Sequence, residues 1–158
     1  MEFITESHLD EITEQLGTMD DQETLFRELA NEQPVLLAFL VSDNIQMLTE
    51  QEQELLYFLA FIIWKAIARV HPDIPLIEEN LLGKIEESNW ELLEGHNQGN
   101  FSERITPFFT DHPQEDLLAF IEDSLIFDEE SQVTNEGRIY LFVILKTVVD
   151  AFVGVLAK

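Results

Sequence analysis

Two lysines are the residues of this sequence most suggestive of chemistry, because each interrupts a long apolar run at an equivalent place. Lys65 follows Leu55 to Trp64, where the Tyr57 hydroxyl is the only polar side-chain group, and Lys146 lies in Ile139 to Ala157, otherwise broken only by Thr147, Asp150 and Gly154. A lysine drawn into such a run extends its ammonium to water, finds an anion, or gives up its proton. The first covers apolar surface with the stem and is the plain expectation. The second predicts internal ion pairs, and the third would make a base or Schiff-base nucleophile. An Asp follows each Leu-Leu-Ala-Phe segment by three or four residues, so the expected pairs are Lys65 with Asp43 and Lys146 with Asp123.

Other chemistries find little purchase. Without cysteine there is no disulfide framework, thiolate metal site or thiol nucleophile. Gly-rich phosphate loops, a G-x-S-x-G elbow and H-E-x-x-H are all missing. His8, His71, His96 and His112 never fall three or four residues apart, and none completes a Glu-x-x-His pattern, so they read as separate surface or cap residues. Carboxylates are too abundant for adjacent pairs to signify acid and base, and Asp128 to Glu130 lacks the spacing of a calcium loop. Neither a cofactor nor a metal is expected. Trp90 stands beside the apolar stripe of a strongly acidic helix and is the candidate contact for a partner.

The 32 acidic against 8 basic side chains give a formal charge of −24, and the few cations are scattered along the chain. Such a field repels phosphate backbones and anionic lipid, which argues against nucleic-acid or membrane partners and suits solubility or a basic protein partner. No basic segment followed by an apolar run opens the chain, so a cytoplasmic location is expected. Lys146 and Asp150 within the longest apolar segment weigh against its spanning a bilayer, where a central charge costs about 3 kcal/mol.

These residues must be held by helices. Shifted by 81 positions the sequence matches itself: Leu36-Leu37-Ala38-Phe39 falls on Leu117-Leu118-Ala119-Phe120, and Phe61, Ile63 and Lys65 fall on Phe142, Ile144 and Lys146. The same shift places Ile4 on Ile85 upstream. The reading is an all-α single domain of about eight helices, residues 1–158, made of two tandem four-helix repeats, about 1–74 and about 75–158, with pseudo-two-fold symmetry. It forms either a compact bundle or a short stack of helical hairpins. In each unit a first amphipathic helix (about Ile4 to Leu16, and from near Pro75 to Glu94) precedes a short one, shortened in the second copy by Pro107. A third helix starts at Pro34 or after Asp111-His112-Pro113, and a fourth, apolar all round, follows Thr49 or Thr134. The two fourth helices should pack on one another at the centre, and a homodimer would cover what apolar surface remains.

Function is thus unassigned by motif. The reading that fits is a non-enzymatic interaction or regulatory scaffold with an acidic surface. Its alternative is an enzyme or small-ligand binder with a pocket between the repeats near Lys65 and Lys146.

Overall fold

The computed structural model describes residues 1–17, 22–42, 46–126 and 133–157, and among them every regular element is helical. In chain order these are α1 (Glu6–Gly17), α2 (Gln22–Glu32), α3 (Pro34–Leu40), α4 (Glu50–Val70), α5 (Glu79–Glu94), α6 (Phe101–Ile105), α7 (Glu115–Ile126) and α8 (Asn135–Leu156); a 3-10 turn, Thr106–Phe109, continues α6. Pro34 occupies the first turn of α3, where its missing N–H costs nothing. Thr49 and Glu52 close a capping box on α4, and the Thr134 hydroxyl accepts the Gly137 N–H to cap α8.

The first helix of the second half begins later than its sequence suggests. Residues 75–78 stay extended because Gln33 holds them: its amide donates to the Pro75 carbonyl at 3.0 Å and its Oε1 accepts the Ile77 N–H at 2.9 Å. Gln114 does the same for the start of the chain, donating to the Glu2 carbonyl at 3.0 Å and accepting the Ile4 N–H at 2.9 Å. Both glutamines are buried, which is tolerable because each amide satisfies the backbone of an otherwise unpaired segment. Gln114 therefore serves as a clamp between the start of the chain and the segment before α7. The ring Nδ1 of His112 accepts the Gln114 N–H at 3.0 Å, and Asp111 before it takes a positive φ of 56°.

One contiguous apolar core runs from Ile4 to Phe152, with α4 and α8 packed on each other and both Phe61 and Phe142 inside it. Around this pair, α1 lies on α4, α7 lies on α8 and on α1, and α5 lies on α8. Contacts of Leu81 near Gly154, Asn89 with Thr147 and Trp90 with Tyr140 show that α5 and α8 run antiparallel. Aromatic edges fill the gaps: Phe26 meets Phe61 with ring centres 4.9 Å apart, and Phe108 meets Phe142 at 5.6 Å. By length and composition α8 could cross a membrane, but in this fold most of it is buried by the other helices. Most of the apolar surface of α4 and α8 is thus covered within the chain itself, while Leu55, Phe58, Val153 and Val155 stay half-buried.

The N-termini of α4 and α8 meet at a single carboxylate. Glu52 is buried; its Oε1 accepts the Thr49 N–H at 2.9 Å, and its Oε2 accepts the Thr134 N–H at 2.8 Å and the Thr134 hydroxyl at 3.0 Å. With two helix N-termini converging on it, the charge is compensated by backbone dipoles. Gly137 is required here, since a Cβ at that position would coincide with the Glu52 carboxylate.

Candidate functional site

The two lysines lie on the two central helices but not in the same environment. Lys65, on α4, leans over Trp64 with its ammonium 4.3 Å from the ring centre and pairs with Glu28 of α2 at 2.6 Å. Both partners are partly exposed, so the pair is screened and the lysine combines a water-reaching ammonium with a local anion. Glu28 supplies the anion expected from Asp43, which lies outside the described residues.

Lys146 is buried, its side chain only 9% exposed. Its ammonium donates to Asp150 at 2.6 Å and to the Asn89 carbonyl at 2.9 Å, and stands 5.4 Å from the centre of the Phe108 ring. The expected partner Asp123 is not used: it is exposed on α7, lining a shallow acidic cleft with Glu6 and Asp10 of α1 and Asp116. The reason is local. Asp150 lies one turn beyond Lys146 on the same helix, so the pair forms within α8 with no need for a returning loop.

Asp150 joins this pair to His112, whose side chain is buried. His112 donates from Nε2 to Asp150 Oδ1 at 2.7 Å, while its Nδ1 takes the Gln114 N–H. Asn89 completes the cluster, its amide reaching Thr147 Oγ1 at 3.1 Å and Asp150 Oδ2 at 3.2 Å; Thr147 in turn donates to the Val143 carbonyl at 2.8 Å. Burial alone would raise the Asp150 carboxyl, but the His112 hydrogen bond, the Lys146 charge and the bonds from Lys146 and Asn89 outweigh it and hold the group below its ordinary value.

The chemical capacity of this cluster follows from its accounting. Both ring nitrogens of His112 are engaged, the Thr147 hydroxyl is used as donor and acceptor, and the Lys146 ammonium faces two oxygens and an aromatic face. What remains is a polar lock that fastens α5 and the His112 segment to α8. The sequence contained a hint of it, since Asn89 falls on the buried face of an amphipathic helix, but the position of His112 beside Pro113 gave no sign that its ring turns inward.

A second feature is a groove between α3 and α5. Its walls are Val35, Ala38 and Phe39 on one side and Leu82 and Gly83 on the other, with Glu79 and Glu86 along the α5 edge. Beyond Phe39 it deepens into an apolar cavity of about 260 Å³ ending at Trp90 and Tyr140. Trp90 is half-buried there: its ring meets Tyr140 edge-on at 5.7 Å and its indole N–H donates to Glu86 at 3.3 Å. It is a groove wall rather than an exposed patch. Neither the groove nor its deep end is lined by Lys65 or Lys146; a shallower hollow beside Lys65 is lined by Glu28 and Arg69. Among the described residues no group of three or more His, Asp or Glu side chains is arranged to hold a metal ion.

No protein-family model matches this chain, and neither a curated protein nor a solved structure matches it.

Proposed function

We propose that this chain is a non-enzymatic interaction protein, a single helical domain whose acidic surface recognises a basic protein partner. The observation that carries this reading is the closed accounting of the Lys146 cluster: its lysine, histidine, aspartate and threonine bond one another or backbone, so none is left facing a substrate. An enzyme built on Lys146 would need a pocket beside a lysine with a free lone pair. The surface, by contrast, carries most of the 32 acidic side chains and a half-open apolar groove.

The domain is further proposed to be two copies of one four-helix unit, about residues 1–74 and about 75–158. The reciprocal clamps support this, because Gln33 of the first unit holds Ile77 of the second and Gln114 of the second holds Ile4 of the first. The clamps keep the 81-residue shift for the third helices but pair Ile4 with Ile77, not Ile85, so the first helices follow a different register. In that register Glu6 and Glu79 both open a helix, and Leu9 and Leu82 are both buried.

The test is affinity capture from the source cell at physiological ionic strength, with quantitative mass spectrometry and salt elution. A stoichiometric basic protein released by added salt is expected. Covalent trapping of a carbonyl compound on Lys146 by borohydride, or the repeated absence of a stoichiometric partner, would overturn the reading.

A further inference from the structure

The interaction reading leaves open where a partner sits, and one helix residue narrows it. Gly83 lies in the second turn of α5, facing the groove, and a Cβ built on it would meet nothing within 4 Å among the described residues. Glycine is the least favourable helix residue after proline, so an interior helix glycine normally answers to close packing. Among the described residues nothing packs on it in this way. In the register set by the two clamps its counterpart in α1 is Asp10, which shows that the helix position accepts a side chain. The space over Gly83 therefore allows another backbone to approach α5 closely.

The two units differ around this position in the same direction. Where α7 places Asp116 and Asp123 in the cleft facing α1, the residues 81 positions earlier are Val35 of α3 and Ser42 just after it. The cleft between α1 and α7 is thus lined by carboxylates on both sides, while the groove between α3 and α5 is apolar along its floor and carboxylate only along the α5 edge. Among the described residues no lysine or arginine lines it. From Glu79 to Trp90 the groove follows about 16 Å of helix, the length of three turns.

We infer that this groove docks a basic amphipathic helix of a partner protein, its apolar face against Phe39, Leu82 and Trp90 and its lysines or arginines against Glu79 and Glu86. The inference rests on the interaction reading above and adds the place and the chemistry of the bound segment. Helix-in-groove recognition needs an apolar trough of about this length and a polar rim that sets orientation. The acidic edge suits a cationic segment and disfavours a second copy of this chain, whose own surface carries the same charge.

The test uses defined peptides and the full chain. A labelled peptide of about four turns, with Leu at i, i+3, i+4 and i+7 and Lys elsewhere, is titrated by fluorescence anisotropy. A scrambled peptide of identical composition and a Leu/Gln peptide with the same apolar face serve as controls. The patterned basic peptide should bind at least about tenfold more tightly than either control. Its amide-shift footprint on the labelled protein should fall on α3 and α5. Gly83→Leu, which fills the groove from an open position, should weaken binding about tenfold or more while leaving the melting curve unchanged or improved. Glu79→Gln with Glu86→Gln should weaken it and flatten its salt dependence. Equal binding by the scrambled peptide, a footprint elsewhere, or unchanged affinity in Gly83→Leu would overturn the groove assignment. If the groove fails while a captured basic partner maps to another surface, the interaction reading survives; if no partner is captured either, both fail.

Discussion

The carboxylate of Glu52 caps two helices at once, and removing it tests whether α4 and α8 are fastened at that point. Glu52→Ala leaves the Thr49 and Thr134 N–H groups without their acceptor; the Thr134 hydroxyl can turn and is not counted. An orphaned backbone donor costs about 1 to 3 kcal/mol, and since Thr49 and Thr134 are themselves exposed, water replaces part of the loss. The expected destabilisation is about 2 to 4 kcal/mol, more than the roughly 1 kcal/mol of one ordinary cap. Gly137→Ala makes the sharper test. In a free helix the change would stabilise by about 1 kcal/mol, but here the methyl needs the space that the Glu52 carboxylate fills, so a loss of about 2 kcal/mol or more is expected. The double variant should be less unstable than the two single losses added, because the alanine methyl then enters vacated space. Urea denaturation followed by far-ultraviolet circular dichroism, read as midpoint shifts at constant slope, measures all three. A Gly137→Ala protein more stable than the parent would refute the arrangement outright.

Two further predictions concern the charged groups. Lys146→Met should destabilise by about 3 to 5 kcal/mol by stranding Asp150, whereas Lys65→Met should cost about 1 kcal/mol or less; equal losses in denaturant melts would contradict the difference in burial between the two sites. Asp150 is held below its ordinary value of 3.8, so its contribution is complete above that value and is lost as pH falls through the lower folded one. Because many other carboxylates titrate in the same range, the readout is the stability gap between the parent and Asp150→Asn, which should be widest at neutral pH and shrink below about pH 4; a gap that grows on acidification has the wrong sign.

How much of this was legible in the residues depended on distance along the chain. The helices were, since apolar spacing, Pro34 and the Thr49 and Glu52 capping pair are local signals. The central packing of α4 on α8 was also legible, because helices apolar on every side have no other place in a soluble core. The start of α5 was missed: what keeps Pro75 to Glu78 extended is the side chain of Gln33, far away in sequence, which no periodicity can reveal. The partner of Lys146 was missed for a related reason. The expected pairing with Asp123 relied on a resemblance between two stretches of sequence, while the actual choice followed from Asp150, and the residue 81 positions earlier is Arg69. Arg69 cannot neutralise Lys65, so Lys65 turns to Glu28 and Arg69 to Glu11.

That substitution also bears on the surface. Arg27, Lys65, Arg69 and Lys146 each pair with an acid of the same chain, and Arg104 and Arg138 each donate to a backbone carbonyl. Six of the eight lysines and arginines are thus tied to their own neighbourhoods, so acidic side chains outnumber free cations on the surface. A field of this kind works against compaction by self-repulsion, and a protein can carry it only if its interior is well fastened. The double cap at Glu52, the two glutamine clamps and the Lys146 lock provide that fastening at the helix ends and at the seam between α5 and α8. A fold held this way keeps its outer charge in place when a cationic segment arrives. In the proposed docking the charge would raise the rate of encounter, while the apolar groove and the open backbone at Gly83 would determine how long the segment stays.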